Sequence, residues 1–259
     1  MTNPSDTVSD YRQSISALVG DSSDLSVRQF TIGANRVPAT LMWIEGLVDK
    51  KMLYETVLGP LMAAETPKEF ADSPERLGDY LANSVIAAPG IQHCAQPKAA
   101  VSKLVVGWTV LLVQHCADLI VVDTQGYPKR SIEEAASSTV IRGPRDGFVE
   151  SLDVNVSLVR RRVRNSDVRV ENMTLGTLSH TQVAMMYIRG KASETIVGEI
   201  RQRLVQLNAD GILESQSIEE RIRDGRRSLF PTVYSTERPD DIAGKIMRGQ
   251  VAILADGTP

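Results

Sequence analysis

The sequence predicts an α/β protein made of two similar tandem subdomains, each a small mixed sheet packed with helices. Three observations support this fold class: an internal repeat with a spacing of 143–144 residues, apolar strands followed by helical patterns in each copy, and a Gly/Pro/Arg turn halfway along the chain. Strands interrupted by helical segments are typical of layered α/β architecture. We place the first subdomain at residues 1–143 and the second at 144–259, joined by the turn and a connecting helix.

Composition describes an ordinary globular chain. It has 259 residues, 42% hydrophobic and 24% charged, which is long enough to bury substantial cores. The net charge of −3 argues against a general nucleic-acid binder. The polar, acidic start predicts no signal peptide, and the longest apolar run, Leu104–Val113, is too short to cross a bilayer. Two cysteines without a disulfide framework fit a reducing compartment, so we expect a cytosolic fragment.

The first block of the repeat pairs Asp24–Gly33 with Asp167–Gly176, 143 residues apart. Four positions are identical in the two copies. In both copies the alternation of apolar residues slips by one position in mid-strand. Because such a slip turns side chains to the other face unless a bulge absorbs it, the pattern predicts a bulged strand in each copy. A helix is expected before each strand, over about residues 6–19 and 148–163.

The second block pairs Thr40–Asp49 with Ala184–Ser193, 144 residues apart. Each copy reads as an apolar strand that ends near a glycine, Gly46 or Gly190, which we assign to a tight strand-to-helix turn. The last residue of each block is a good N-cap for the helix that follows. Apolar residues at helical spacing continue in both copies.

A third block pairs Cys116–Gly126 with Gly249–Pro259 and places Asp123 over Asp256. The pattern predicts a short apolar strand in each copy, preceded by a helix. In the first copy the helical stripe comprises Val101, Leu104, Val105, Trp108, Leu111 and Leu112. In the second copy Pro239 is expected to open the helix, because proline fits a first helical turn.

The stretch RGPRDGF, Arg142–Phe148, lies just before the helix that opens the second subdomain. One interpretation is a turn followed by a helix cap, with Asp146 capping the helix and the turn made by Gly143, Pro144 and Gly147. The alternative is an anion site where Arg142 and Arg145 converge with a helix N-terminus. The stretch lacks the Lys-Ser/Thr ending of a phosphate-binding P-loop.

Other candidate chemistry is weaker. The dipeptide His-Cys recurs at residues 93–94 and 115–116, but without Cys-x-x-Cys spacing, so we expect no metal site and no cofactor. The arginine run at 160–164 reads as a solvated helix face, with anionic headgroups or an acidic patch on a neighbouring subunit as alternatives. Glu45 and Asp123 at strand ends read as cap or turn residues. No catalytic motif is present, so we expect no enzyme.

Several stretches resemble the A subunits of GerA-type spore germinant receptors. The longest is IRGPRDGFVESLDVNVSLVRRRVRNSDV, residues 141–168. The others are DSSDLSVRQF, IEGLVDKKML, DGILES, TERPDD and the closing VAILADGTP, so the resemblance runs from about residue 20 to the end. Members of that family usually carry Glu where Asp146 stands, and this departure keeps the negative charge.

The resemblance implies a soluble N-terminal region of a membrane protein in the inner membrane of the bacterial spore, on the cytoplasmic, spore-core side. It implies partnership with receptor B and C subunits, association of A subunits with one another, and a role in assembly and signal relay in nutrient-triggered germination. A second hypothesis, from the two-subdomain organisation, is a module that binds a small nutrient in the cleft between them.

Residues around the turn are the predicted subdomain or subunit interface. We expect Arg142, Arg145, Asp146 and Glu150 to tie the two subdomains together through hydrogen bonds. The remaining predicted interface residues are Phe148, Asn155, Arg160 and Arg161.

Overall fold

The computed structural model describes residues 4–34, 36–65, 74–116, 118–126, 146–207, 215–222 and 233–258. The chain divides into two compact units. The first unit comprises Met1–Tyr127 with Arg164–Ser166, and the second comprises Pro128–Val163 with Asp167–Pro259. The predicted boundary between residues 143 and 144 lies outside the described residues.

The first unit contains a five-stranded sheet. Its helices are α1 (Pro4–Val19), α2 (Lys50–Met52), α3 (Gly59–Ala63), α4 (Pro74–Tyr80) and α5 (Pro97–Leu104), with π-helical turns at Leu53–Leu58 and Leu81–Val85. Its strands are β1 (Leu25–Ile32), β2 (Val37–Ile44), β3 (Ile91–Cys94), β4 (Trp108–Val113) and β5 (Leu119–Asp123), in the order β1-β2-β4-β5-β3.

The second unit contains a three-stranded sheet. Its helices are α6 (Leu152–Arg162), α7 (Glu194–Val205), α8 (Ser215–Ile222) and α9 (Pro239–Met247). Its strands are β6 (Val168–Leu175), β7 (Thr181–Ile188) and β8 (Ala252–Ala255), in that order across the sheet. The predicted α/β class with two similar subdomains is confirmed.

Each sheet packs helices on both faces. On β2, Leu41 and Trp43 join the core formed with residues 53–64 and 77–86, while Met42 and Ile44 join the core formed with α1 and α5. In the second unit, β7 likewise sends alternate residues to α6 and α9 on one face and to α7 and α8 on the other. Because both faces of the sheet are buried, its central strands are apolar at consecutive positions.

The prediction of mixed sheets is wrong in strand direction. Every strand pairing among the described residues is antiparallel. Short turns join β1 to β2, β4 to β5 and β6 to β7, and short turns connect only antiparallel neighbours. The longer connections from β2 to β4 and from β7 to β8 contain several elements and return the chain in the opposite direction.

The predicted bulges are absent from β1 and β6, whose pairings with β2 and β7 run without interruption. The phase slip has a different cause. In β1, Leu25 packs on the face that carries α1 and α5, whereas Phe30 and Ile32 pack on the opposite face. A strand between two helical layers can bury apolar residues on either side, so its apolar pattern changes phase while its backbone stays regular.

Equivalent hydrogen bonds confirm the first two blocks of the repeat. The amide of Glu45 donates to the carbonyl of Asp24 at 2.8 Å, and the amide of Arg189 donates to the carbonyl of Asp167 at 2.8 Å. The two turn glycines have positive φ, 75° at Gly46 and 78° at Gly190, as the tight turn requires. The N-cap positions are also as predicted, at Asp49 and Ser193.

The third block of the repeat is wrong in its alignment. The counterpart of β8 is β4, because Met186 pairs with Ala252 as Met42 pairs with Val110. The proposed match of Cys116–Gly126 with Gly249–Pro259 therefore fails. The predicted helical stripe also ends early: α5 stops at Leu104, and the apolar residues from Trp108 onward form β4.

Candidate functional site

The structure describes some of the predicted interface and turn residues but not others. Arg142, Gly143, Pro144 and Arg145 lie outside the described residues. Asp146 onward belongs to residues 146–151, here called the lead segment, which runs into α6. Gly147 and Phe148 are buried in this segment, and Glu150 is exposed.

Asn155 on the first turns of α6 holds the lead segment. Its side chain is 1% exposed. The Oδ1 atom accepts from the amide of Val149 at 2.8 Å, and the Nδ2 atom donates to the carbonyl of the same residue at 2.6 Å. One side-chain amide thus satisfies both backbone groups of one residue, which fixes the lead segment against the helix.

The lead segment also bonds to elements from the end of the chain. The amide of Phe148 donates to the carbonyl of Glu237 at 2.8 Å, and the amide of Gly257 donates to the carbonyl of Glu150 at 2.8 Å. The phenyl ring of Phe148 packs in the core with α6 and α9. These contacts place the lead segment between the start of α9 and the end of β8.

Asp146 is not the cap of the following helix, contrary to the sequence prediction. The N-cap position of α6 is Ser151, and the carboxylate of Asp256 accepts from the amide of Leu152 at 3.0 Å. An acidic group from the end of β8 therefore serves the positive end of α6. Sequence reasoning missed this role because 104 residues separate the two partners.

Asp146 instead pairs with Arg162 at the other end of α6, with 2.5 Å between Oδ2 and Nη2. The same guanidinium donates from Nη1 to the carbonyl of Leu158 at 2.7 Å. Both side chains are half-buried, with 20% of Arg162 and 26% of Asp146 exposed. An ion pair at this depth is screened less than a surface pair.

The arginine run does not form the solvated helix face that the sequence predicts. Arg160 is 1% exposed, and Arg161 and Arg162 are half-buried. A buried guanidinium is costly unless it is paired or hydrogen-bonded, so these side chains are structural parts of the second unit. Arg164 alone in the run is exposed.

Charged residues continue at the start of α9. Arg238 binds Asp240 through two hydrogen bonds, Nε to Oδ1 at 3.1 Å and Nη2 to Oδ2 at 2.5 Å. These bonds lower the pKa of Asp240, although burial opposes the shift. Both acids in the first turn of α9 also favour the helix N-terminus electrostatically.

A second ionic cluster lies across β6, β7 and α7. Glu171 accepts from Arg201 at 2.7 and 2.6 Å and from the hydroxyl of Tyr187 at 2.7 Å. The bonds from Arg201 lower the pKa of Glu171, burial opposes this, and the bond from Tyr187 adds to the lowering. Sequence reasoning missed this cluster, because its three residues lie on separate elements.

Glu45 has an equally specific environment in the first unit. Its carboxylate accepts from Ser26 at 2.6 Å and from the indole of Trp43 at 3.1 Å, and it pairs with Lys50 at 2.8 Å. Burial raises the pKa of Glu45, but these donors outweigh burial and the net shift is downward. Asp123 accepts from the amide of Gln125 at 3.2 Å, as expected of a turn residue.

The two cysteines differ in burial: Cys116 is buried and Cys94 is half-buried. Burial raises the pKa of the Cys116 thiol to about 11, and burial also raises the pKa of the half-buried Cys94. Imidazole Nε2 of His93 lies 3.7 Å from Asp79. In the part of the chain that the structure describes, no three His, Cys, Asp or Glu side chains are grouped to hold a metal ion.

Within the described ranges, none of the helices has both the length and the apolar character needed to span a membrane.

Comparison with known proteins gives consistent matches. Residues 13–259 match the family described as Bacillus/Clostridium GerA spore germination protein. Spore germination protein KA of Bacillus subtilis is 36% identical over 242 residues, covering 93% of this chain and 44% of that protein. Spore germination protein B1 of the same organism is 34% identical over 244 residues, covering 93% of this chain and 49% of that protein.

A solved structure extends the match to the fold. It is the N-terminal domain of the A subunit of the Bacillus megaterium spore germinant receptor GerK3. The TM-score is 0.71 at 30% identity, and the match covers 97% of this chain and 91% of the other. The chain spans about half the length of the curated relatives it matches.

The fold defines an α/β domain of two repeated units, each with an antiparallel sheet covered by helices on both faces. The chain belongs to the GerA spore germination protein family, and it corresponds to the N-terminal domain of a germinant receptor A subunit. The resemblance seen in the sequence is thereby confirmed.

Proposed function

We propose that this domain assembles the receptor and relays its signal in nutrient-triggered spore germination. In this proposal it works in a membrane complex with B and C subunits, and A subunits associate with one another. The complex lies at the inner spore membrane, with this domain on the spore-core side. The observation that carries the proposal is the fold match to a receptor A subunit over 97% of the chain.

The chemistry of the described residues supports a structural role rather than a reaction. The clusters around Asp146, Glu171 and Glu45 are carboxylates satisfied by fixed donors. Their pairing stabilises the fold, and a carboxylate with its oxygens occupied in this way is poorly suited to act as a general base. Relay through such a domain depends on how its elements are held together. The lead segment contacts α6, the start of α9 and the end of β8.

The test uses spores whose only copy of the receptor carries a changed A subunit. Arg162→Ala removes the pair with Asp146, and Arg145→Ala tests the predicted interface residue outside the described part. Arg248→Ala, an exposed residue near the end of α9, is the control. We expect slower germination for the first two variants with receptor abundance, measured by immunoblot, close to that of the unmodified receptor.

Normal germination of both variants at normal abundance would overturn the relay role. Loss of abundance together with loss of germination would show that the pair serves folding, not relay.

The nutrient-binding module is the alternative proposal. It predicts that a germinant raises the melting temperature of the purified domain by binding the folded state. A screen of amino acids and sugars by differential scanning fluorimetry separates the two proposals, since an assembly and relay domain should show no such shift.

A further inference from the structure

The two sheets differ at one edge. In the first unit β4 has β2 on one side and β5 on the other, and β3 pairs with the far side of β5. In the second unit β8, the counterpart of β4, pairs with β7. No described residue pairs with the other edge of β8. The repeat therefore defines a strand position beside β8 that the described residues leave unfilled.

Residues in and immediately before β8 are less buried than their counterparts in β4, as expected if the sheet of the second unit lacks a strand at this edge. β4 residues Thr109 and Leu111 are fully buried. Their counterparts lie 142 positions later, by the pairing of Val110 and Ala252 with equivalent methionines. These counterparts, Val251 and Ile253, are only partly buried.

The segment that corresponds to β3 also differs between the two units. β3 lies just before α5, and residues 233–236 lie at the corresponding place just before α9. They form no strand. Tyr234 in this segment is 59% exposed. In the first unit β3 joins the sheet only through its pairing with β5. If the counterpart of β5 is absent, β8 has an unpaired edge and residues 233–236 have no strand to pair with.

The occupant can be specified from the first unit. β5 is LIVVD, with its first four residues buried, and it follows β4 after the five residues 114–118. The corresponding turn begins at Asp256, whose amide donates to Gln182 at 2.9 Å as the amide of Gln114 donates to Pro38 at 2.9 Å. Adding 142 to 119–123 places the missing strand at positions 261–265.

We propose that the open edge of β8 binds an apolar strand of the same polypeptide, at positions 261–265 of a longer chain. The matched solved structure is the N-terminal domain of a longer subunit, and the curated relatives are about twice the length of this chain. The strand would run antiparallel to β8 and carry β-branched residues like those of β5. The proposal does not depend on the role in germination.

The test compares amide hydrogen exchange in two forms of the protein. One is the chain of 259 residues, and the other is extended through position 268 with the residues that follow in its own gene. We expect the amides of Val251 and Ile253, which alternate with the amides that face β7, to exchange at least about tenfold more slowly in the longer form. Proline at position 264, the counterpart of Val122, should abolish this protection, because the amide at that position would face β8 and proline has no N–H.

A designed extension provides the positive control. Copying Asp118–Gly126 after residue 259 places the copied LIVVD at positions 261–265 in the expected register. If this copy protects the β8 amides and the natural continuation does not, the proposed occupant is wrong. If the shorter chain is already a dimer whose β8 amides lose protection on dilution, a second copy fills the edge and the proposal is overturned. Equal exchange in all forms also overturns it.

Discussion

The hydrogen bonds of Asn155 give a quantitative prediction for the lead segment. Replacing Asn155 with Ala removes both side-chain partners of the Val149 backbone, which lie at 2.8 and 2.6 Å. A buried polar group left without its partner costs about 1–3 kcal/mol. Val149 is half-buried, so water recovers part of the loss. We expect the second unit to lose about 2–4 kcal/mol of unfolding free energy, including the small cavity that remains.

Urea unfolding combined with hydrogen exchange of the β7 amides measures this loss in the second unit alone. This matters because two units can unfold in separate transitions. The amide of Val149 should also exchange faster in the variant. Gln202→Ala on the exposed face of α7 is the matched control and should stay within about 0.5 kcal/mol. Asn155→Ala with unchanged β7 exchange would refute the proposed role of this side chain.

Three further predictions concern single groups. Glu171→Gln should destabilise more at pH 7 than at pH 3, because a carboxyl whose pKa is lowered on folding contributes fully above 4.5 and loses this contribution as the pH falls through the lowered pKa; equal urea midpoint differences at both pH values would refute this. With its pKa raised to about 11 from 9.0, Cys116 should have a thiolate fraction about a hundredfold lower at neutral pH than an unshifted thiol and should react more slowly with iodoacetamide; labelling faster than at Cys94 would contradict this. Gly249→Ala should destabilise by about 1–3 kcal/mol, since φ is +92° and a Cβ would lie 2.7 Å from a carbonyl oxygen, whereas Gly198→Ala, with open space, should stabilise by up to about 1 kcal/mol; similar melting temperatures for the two variants would refute this.

The strands that alternate with clear turn signals could be predicted from the sequence. The turn glycines Gly46 and Gly190 and the repeated Asp24 and Asp167 located β1, β2, β6 and β7 correctly. β4 could not be distinguished from a helix, because a strand buried on both faces has no alternation. The available signal was Gly107, which adopts a φ of +98° between α5 and β4.

The candidate site was predicted only in part. The turn residues drew attention to the lead segment. Asn155 was predicted as an interface residue, and its side chain bonds within its own unit. Its bonding to Val149, and the pairing of Asp146 with Arg162, depend on distances that residue spacing does not reveal. The same limit applies to Arg160, because a run of arginines on a short helix looks solvated until tertiary packing buries one of them.

The two helical layers around each sheet restrict where partners can act on this domain. A sheet face covered by helices offers no surface to another molecule, so recognition must use helix exteriors, turns and strand margins. Random mutagenesis should therefore yield two separable groups: strand substitutions that reduce receptor levels, and helix-exterior substitutions that leave levels intact while altering response. The second group would trace the contact surfaces of the working receptor.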